Sequence, residues 1–211
     1  MTIKASSLLS LVVLWAAIVP AVIVNGDAWW TLIFAFLASG AVGIGMWRRL
    51  GIARLLAIAA VWISTAFAVA AEDGAAWMAI FSFLATGAIV YSAMRRTAVL
   101  LSVGIAVAWG VTAAAVIQSD GDATWISIFA FLTAATLANC WRDQVRGLAA
   151  AVLWGIAGII MLATDGGWYW LAVPAWLLSA ISIGIGSGGF NFPRRFEWDL
   201  WERDDEDPAV L

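Results

Sequence analysis

A chain of 211 residues in which 64% are hydrophobic and 12% charged holds far less charge than a water-soluble domain, where roughly a quarter of residues are charged. Its net charge of −3 rests on the acidic run DDED at 204–207, without which the chain is close to neutral. With no histidine and one cysteine, Cys140, the composition excludes an intramolecular disulfide, a multi-cysteine metal site and the commonest general base.

The apolar residues fall into eight long runs. The first, Ser7–Val24, follows Lys4 as a secretory signal would, but VNGDAWW after it offers no small-x-small cleavage site, so a mature helix is expected. Asn-Gly-Asp at 25–27 turns the chain into Ala28–Trp47, which ends at Arg48 and Arg49. Ile52–Ala71 and Ala75–Met94 repeat this around Glu-Asp-Gly at 72–74 and end at Arg95 and Arg96. Val99–Gln118 and Thr124–Trp141 follow around Ser-Asp-Gly-Asp at 119–122, before Arg142 and Arg146. Leu148–Thr164 and Trp168–Gly186 close the series around Thr-Asp-Gly-Gly at 164–167. A helix rises about 1.5 Å per residue, so each run reaches across a hydrocarbon core of about 30 Å. Arg54, in the first turn of the third run, is the one charged residue within them. The predicted fold class is an all-α integral membrane protein with eight transmembrane helices.

The runs are copies. GDAWWTLIFAFLASG at 26–40 returns as DGAAWMAIFSFLATG at 73–87 and as GDATWISIFAFLTAA at 121–135, and GGWYWLAVPAWLLSA at 166–180 is a degraded fourth version. Four tandem two-helix hairpins are predicted, at 1–50, 51–97, 98–146 and 147–189, forming one membrane domain. A cytoplasmic interfacial and acidic tail, 190–211, follows. Each copy crosses twice and starts on the same side as the last, so the copies are pseudo-symmetric about the membrane normal, unlike inverted repeats. Four hairpins satisfy this as a closed ring or as an open row.

Charge sets the orientation. All eleven basic residues, from Lys4 to Arg203, fall on one side. The other side holds Asp27, Glu72, Asp73, Asp120, Asp122 and Asp165. Cytoplasmic loops carry the excess of Lys and Arg, which predicts a multi-pass protein of the inner (cell) membrane with both termini cytoplasmic. The basic rim follows from insertion and implies no nucleic-acid partner. The acidic loops read as Asx and Gly turn chemistry. Asp-Gly-Asp at 120–122 lacks the ligand number of a calcium loop, so no metal is expected.

Two tryptophan series recur. Trp30, Trp77, Trp125 and Trp170 lie one turn inside the acidic boundary, joined by Trp29, Trp168 and Tyr169, as an interfacial aromatic belt would. Trp47 and Trp141 mark the basic boundary. Phe34 and Leu37 share a helix face with Trp30, as do Phe81 and Leu84 with Trp77, and Phe129 and Leu132 with Trp125. The fourth copy has Pro174 in place of the Phe. Trp15, Trp62, Trp109 and Trp154 instead lie mid-span, where an indole N–H needs an acceptor. They read either as packing residues bonded to neighbours such as Ser64, Thr65 or Thr112, or as a cage for an apolar or cationic ligand. Thr133, Thr136 and Asn139 on the sixth run read as a polar path or as interhelical hydrogen bonds. Ser39/Gly43, Ala41/Gly45 and the small residues of 177–189 are expected to let helices approach closely. Pro20 and Pro174 are expected to kink their helices. In the tail, Phe196, Trp198, Trp201, Asp204 and Asp205 form a candidate docking segment.

An enzyme is not expected, because no nucleophile–base pair, phosphate-binding glycine loop or metal-ligand cluster is written in the chain. The expectation is a non-catalytic accessory, scaffold or assembly subunit of a membrane complex. Its partners would be the lipid bilayer and other membrane subunits or further copies of itself. The alternative is a channel or transporter for a neutral, apolar or lipid-like substrate, since no ionisable residue stands mid-span to couple an ion. No cofactor is specified.

Overall fold

The computed structural model describes residues 5–47, 50–94, 98–140, 144–164 and 168–187, and among them every regular element is helical. The helices are α1 (Ala5–Val24), α2 (Thr31–Trp47), α3 (Ile52–Ala71), α4 (Met78–Met94), α5 (Val99–Gln118), α6 (Ile126–Ala138), α7 (Gln144–Ala163) and α8 (Ala172–Ser187). The segments Ile52–Ala71, Asp73–Met94, Val99–Gln118 and Val145–Ala163 are long and apolar enough to cross a membrane, while the other apolar helices are shorter. The tail with Phe196, Trp198, Trp201, Asp204 and Asp205 lies outside the described residues.

The bounds of α3 and α5 match the expected runs, α3 lying between Gly51 and Glu72 and α5 between Ala98 and Ser119. The returning helices do not match. The odd-numbered helices each hold 20 residues, whereas α2, α4, α6 and α8 hold 17, 17, 13 and 16. Tighter 3₁₀ turns at Gly26–Ala28, Asp73–Trp77 and Tyr169–Leu171 take up the start of three expected runs. The third turn differs again. Asp120 and Gly121 both adopt positive φ, 52° and 86°. The Gly121 N–H reaches Val116 O at 3.0 Å and the Asp120 N–H reaches Ile117 O at 3.3 Å, the paired bonds of a left-handed helix stop. Asn and Asp tolerate that conformation and Gly prefers it, which explains Asp-Gly here.

The helices form two layers. In one, α1, α3, α5 and α7 pack side by side in that order; in the other, α2, α4, α6 and α8 do the same, and each hairpin joins the layers. Among the described residues neither α1 and α7 nor α2 and α8 pack as neighbours, so the array is an open row and not a ring. Neighbouring odd helices run parallel in matched register. A Cβ added at Gly104 would meet Ala151, and one added at Gly158 would meet Val111; both pairs are 47 residues apart in sequence. The asparagine and glutamine caps follow suit: Asn25 Nδ2 donates to Val69 O at 3.0 Å and Gln118 Nε2 to Leu162 O at 3.1 Å.

Close approach comes from other glycines than expected. A Cβ at Gly104 would lie 2.9 Å from Ala151 Cβ, and one at Gly147 would lie 2.9 Å from both Cys140 Cβ and Leu101 Cδ2. Gly40 and Gly43 instead face open space, so the Ser39/Gly43 pair is no helix contact of this kind. Pro174 also departs from expectation. It sits in the first turn of α8, where the missing N–H has no intrahelical partner to lose, and therefore starts a helix instead of kinking one. Pro20 lies within α1, which continues through it to Val24.

The returning layer carries a ladder of rings. Phe34 meets Phe83 at 6.3 Å between centroids, Phe81 meets Phe131 at 6.2 Å, and Phe129 meets Trp176 at 5.9 Å. Each contact joins the ninth position of one repeated segment to the eleventh position of the next. Outward, α7 presents Val145, Leu148, Val152, Ile156 and Ile159 in an exposed stripe, and α1 exposes Leu8, Leu9, Val12, Val19 and Ile23. Water would penalise apolar faces of that extent; hydrocarbon does not.

Gly104→Ala is therefore expected to destabilise the fold by about 1–3 kcal/mol through overpacking against Ala151. Gly43→Ala, with open space and a helix to favour, is expected to be neutral or stabilising by up to about 1 kcal/mol. Unfolding midpoints in detergent decide this, and equal losses in both variants would contradict the packing described.

Candidate functional site

The mid-span tryptophans are built into the interior. Trp62, Trp109 and Trp154 are fully buried and are among the largest fully buried side chains, while Trp15 is partly buried. Each donates its indole N–H to the protein. Trp15 Nε1 reaches Ser39 Oγ at 3.1 Å and Trp62 Nε1 reaches Thr86 Oγ1 at 3.0 Å, both across a hairpin and both 24 residues on. Trp109 Nε1 instead reaches sideways to Thr65 Oγ1 of α3 at 2.9 Å. Trp154 Nε1 reaches Ala108 O of α5 at 3.4 Å, a longer bond.

The acceptor hydroxyls share one arrangement. Ser39 donates to Ala35 O at 2.9 Å, Thr86 to Ser82 O at 2.8 Å, and Thr65 to Val61 O at 2.8 Å. A hydroxyl has one proton and two lone pairs, so donating back to its own helix leaves lone pairs for the indole. Thr65 and Ser82 also approach to 2.6 Å, and Ser82 lies 2.8 Å from Met78 O. Two protons serve three contacts, so pairing Thr65 with Ser82 leaves one of the two carbonyl contacts without a proton. Ser92 and Ser102 join α4 to α5 at 3.2 Å.

Thr65 is thus an acceptor, as expected, but for Trp109. Ser64 and Thr112 bond only within their own helices, to Ala60 O and Ala108 O, at 2.7 and 2.8 Å. The signal missed in the sequence was a column: Ser39, Thr86, Ala134 and Ser179 occupy the same position of the four repeated segments. The third copy has no hydroxyl there and its indole turns to the neighbouring hairpin, as does that of the fourth copy, where Ser179 is present but donates to the Ala150 and Ala175 carbonyls.

On α6, Thr133 and Thr136 are buried, and Asn139, just past its end, is exposed. Thr136 Oγ1 donates to Leu132 O at 2.6 Å and Asn139 Nδ2 to Ala135 O at 2.9 Å, both local bonds. Thr133 Oγ1 is buried with no hydrogen-bond partner. Leaving such a group unpaired costs about 1–3 kcal/mol.

A second feature lies at the acidic end. A cleft of 530 Å³ opens between α2 and α4 and the turns before them, lined by Asp27, Trp30, Phe34, Asp73, Ala76, Trp77 and Ile80. Trp30 is its centre: it stands edge-on to Phe34 at 5.9 Å and tilts against Trp77 at 5.3 Å. Both carboxylates are exposed, and no lining residue is basic. Trp125 and Trp170 form a similar pair at 5.0 Å further along the row. Among the described residues no group of three His, Cys, Asp or Glu side chains could hold a metal ion. Comparison with protein-family models, curated proteins and solved structures finds no match to the chain.

Thr65→Val removes the acceptor of Trp109 and the partner of Ser82, and is expected to cost about 1–2 kcal/mol. Thr133→Val replaces an unpartnered hydroxyl with a methyl and is expected to be neutral or stabilising. Equal destabilisation of the two in reversible unfolding would refute this assignment of bonds.

Proposed function

We propose that the protein is a non-catalytic, multi-pass inner-membrane protein that serves as an accessory, scaffold or assembly subunit of a membrane complex. In this reading all eight helices cross the bilayer as four tandem hairpin repeats with both termini cytoplasmic. The observation that carries it is the state of the interior polar groups. The indole N–H groups of Trp15, Trp62, Trp109 and Trp154 are all donated to neighbouring helices, which makes them cross-links of a rigid wall. A cage would leave those donors turned toward a shared cavity. The parallel register of the odd helices supports two crossings per unit, since equivalent residues then lie at equal depth. The one-sided distribution of Lys and Arg supports the orientation. The shorter returning helices fit a bilayer through the 3₁₀ turns that precede α2, α4 and α8 and, for α6, through local thinning.

The experiment is gentle native purification of the full chain. A second membrane protein held in fixed stoichiometry is expected, and a monodisperse chain with nothing bound would contradict the accessory role. Orientation has its own test. In a Cys140→Ala background, Asp120→Cys is expected to react with an impermeant maleimide on intact cells, and Arg95→Cys only after permeabilisation. The reverse pattern would overturn the topology.

A second reading has one observation in its favour. The hydroxyl of Thr133, buried on α6, has no hydrogen-bond partner within the protein. Flux through proteoliposomes that Thr133→Val abolishes would favour a channel or carrier instead.

A further inference from the structure

We infer that the acidic cleft between α2 and α4 binds a small organic cation, an ammonium group bearing apolar substituents that arrives free in solution. This goes beyond the scaffold reading and does not depend on it. The cavity, 530 Å³, lies within the range of about 300–1,000 Å³ typical of small-molecule sites. Its walls are rings. An aromatic face carries negative potential and attracts a cation within about 6 Å of its centroid. Trp30 and Trp77 touch at 5.3 Å, so no ammonium fits between them. The open ring is Trp77, 61% exposed, and a cation seated on it stays beside the cleft's carboxylates.

Asp27 and Asp73 supply charge that no basic lining residue offsets. Their combination is particular to this junction. Asp27 holds the second position of the first repeated segment and Asp73 the first position of the second. At the next junction the same two positions are Gly74 and Gly121, and at the last they are Asp122 and Gly166. Here two acids line a cleft beside paired indoles, whereas the equivalent segment positions next to the Trp125–Trp170 pair hold one acid, Asp122, and Gly166. A choline lipid carries the same ammonium, but it brings a phosphate a few atoms away that two carboxylates repel. Charge complementarity therefore selects a net cation over a zwitterionic headgroup.

The test uses the full-length protein in an uncharged maltoside detergent, titrated with benzyltrimethylammonium by calorimetry. Saturable one-site binding is expected, with benzyl alcohol and a phosphocholine amphiphile failing to displace it. Asp27→Asn combined with Asp73→Asn is expected to weaken binding about tenfold or more. Trp77→Leu should weaken it similarly while Trp77→Phe largely retains it, and Asp122→Asn and Trp170→Leu should leave it unchanged. Should the double variant not fold, raising the salt with the natural chain is expected to weaken binding severalfold by screening exposed charge. Absence of saturation, equal displacement by benzyl alcohol or the phosphocholine amphiphile, or insensitivity to both salt and the Asn changes would overturn the assignment.

Discussion

An indole N–H placed where no water reaches must find an acceptor in the protein, and this requirement organises the interior. An unpaired polar group in an apolar medium costs several kcal/mol by the harsher transfer scales, more than any single helix–helix contact returns. Trp15 and Trp62 meet the requirement with Ser39 and Thr86 on their own hairpins. Those hydroxyls are themselves anchored by carbonyls one turn back, so ring, hydroxyl and helix are held as one unit. Polarisation along such a chain strengthens each bond somewhat. Each cross-link fixes the depth of one layer against the other. At Trp109 the link changes direction: Ala134 stands where a hydroxyl would be, and Thr65 on α3 takes the bond. The result ties the second hairpin to the third, and through Ser82 it joins three helices at one point. Trp154 extends the same sideways pattern to α5.

Around these links, packing is repetitive and ends where the sequence changes. The ring ladder of α2, α4, α6 and α8 uses a ninth-position ring to meet the eleventh position of the following copy. In the fourth copy the ninth position is Pro174, exposed at the start of α8. In the first copy the eleventh-position ring, Phe36, is 69% exposed. The one loss of a ladder ring, at Pro174, thus coincides with one edge of the described row. In the odd layer the corresponding device is size matching, with Gly104 against Ala151 and Gly158 against Val111 in equal register. Small residues let parallel backbones approach where lipid supplies no hydrophobic drive.

Much of the helical order was legible in the chain because charge and apolar length are composition-level signals. Arg48, Arg49, Arg95 and Arg96 bound the second and fourth runs, and the acidic turns bound the rest. The starts of α2, α4 and α8 were not legible, since a 3₁₀ turn and the first turn of an α-helix share the same hydrophobicity. Row or ring was not legible either, because the same hairpin-to-hairpin contacts serve both until the last copy. The Ser39/Gly43 spacing misled because small residues occur on outward faces as readily as at contacts. The need of the mid-span indoles for acceptors was readable, but their identity was not. Two of the four acceptors lie on the preceding hairpin, at Thr65 and Ala108, and only the side-by-side packing of the odd helices brings those within reach. The cleft at Asp27 and Asp73 needed the fold as well, since only the side-by-side hairpins bring those turns together.

The most direct measurement is exchange of the tryptophan indole protons, read by nitrogen-15 NMR of the labelled protein transferred to heavy water. If the interior is a dry, cross-linked wall, the Nε1 protons of Trp62, Trp109 and Trp154 persist long after those of Trp29, Trp77 and Trp170 have vanished. Simultaneous loss of both groups would mean that water reaches the mid-span rings. The bonds described here would then not be what holds the two layers together.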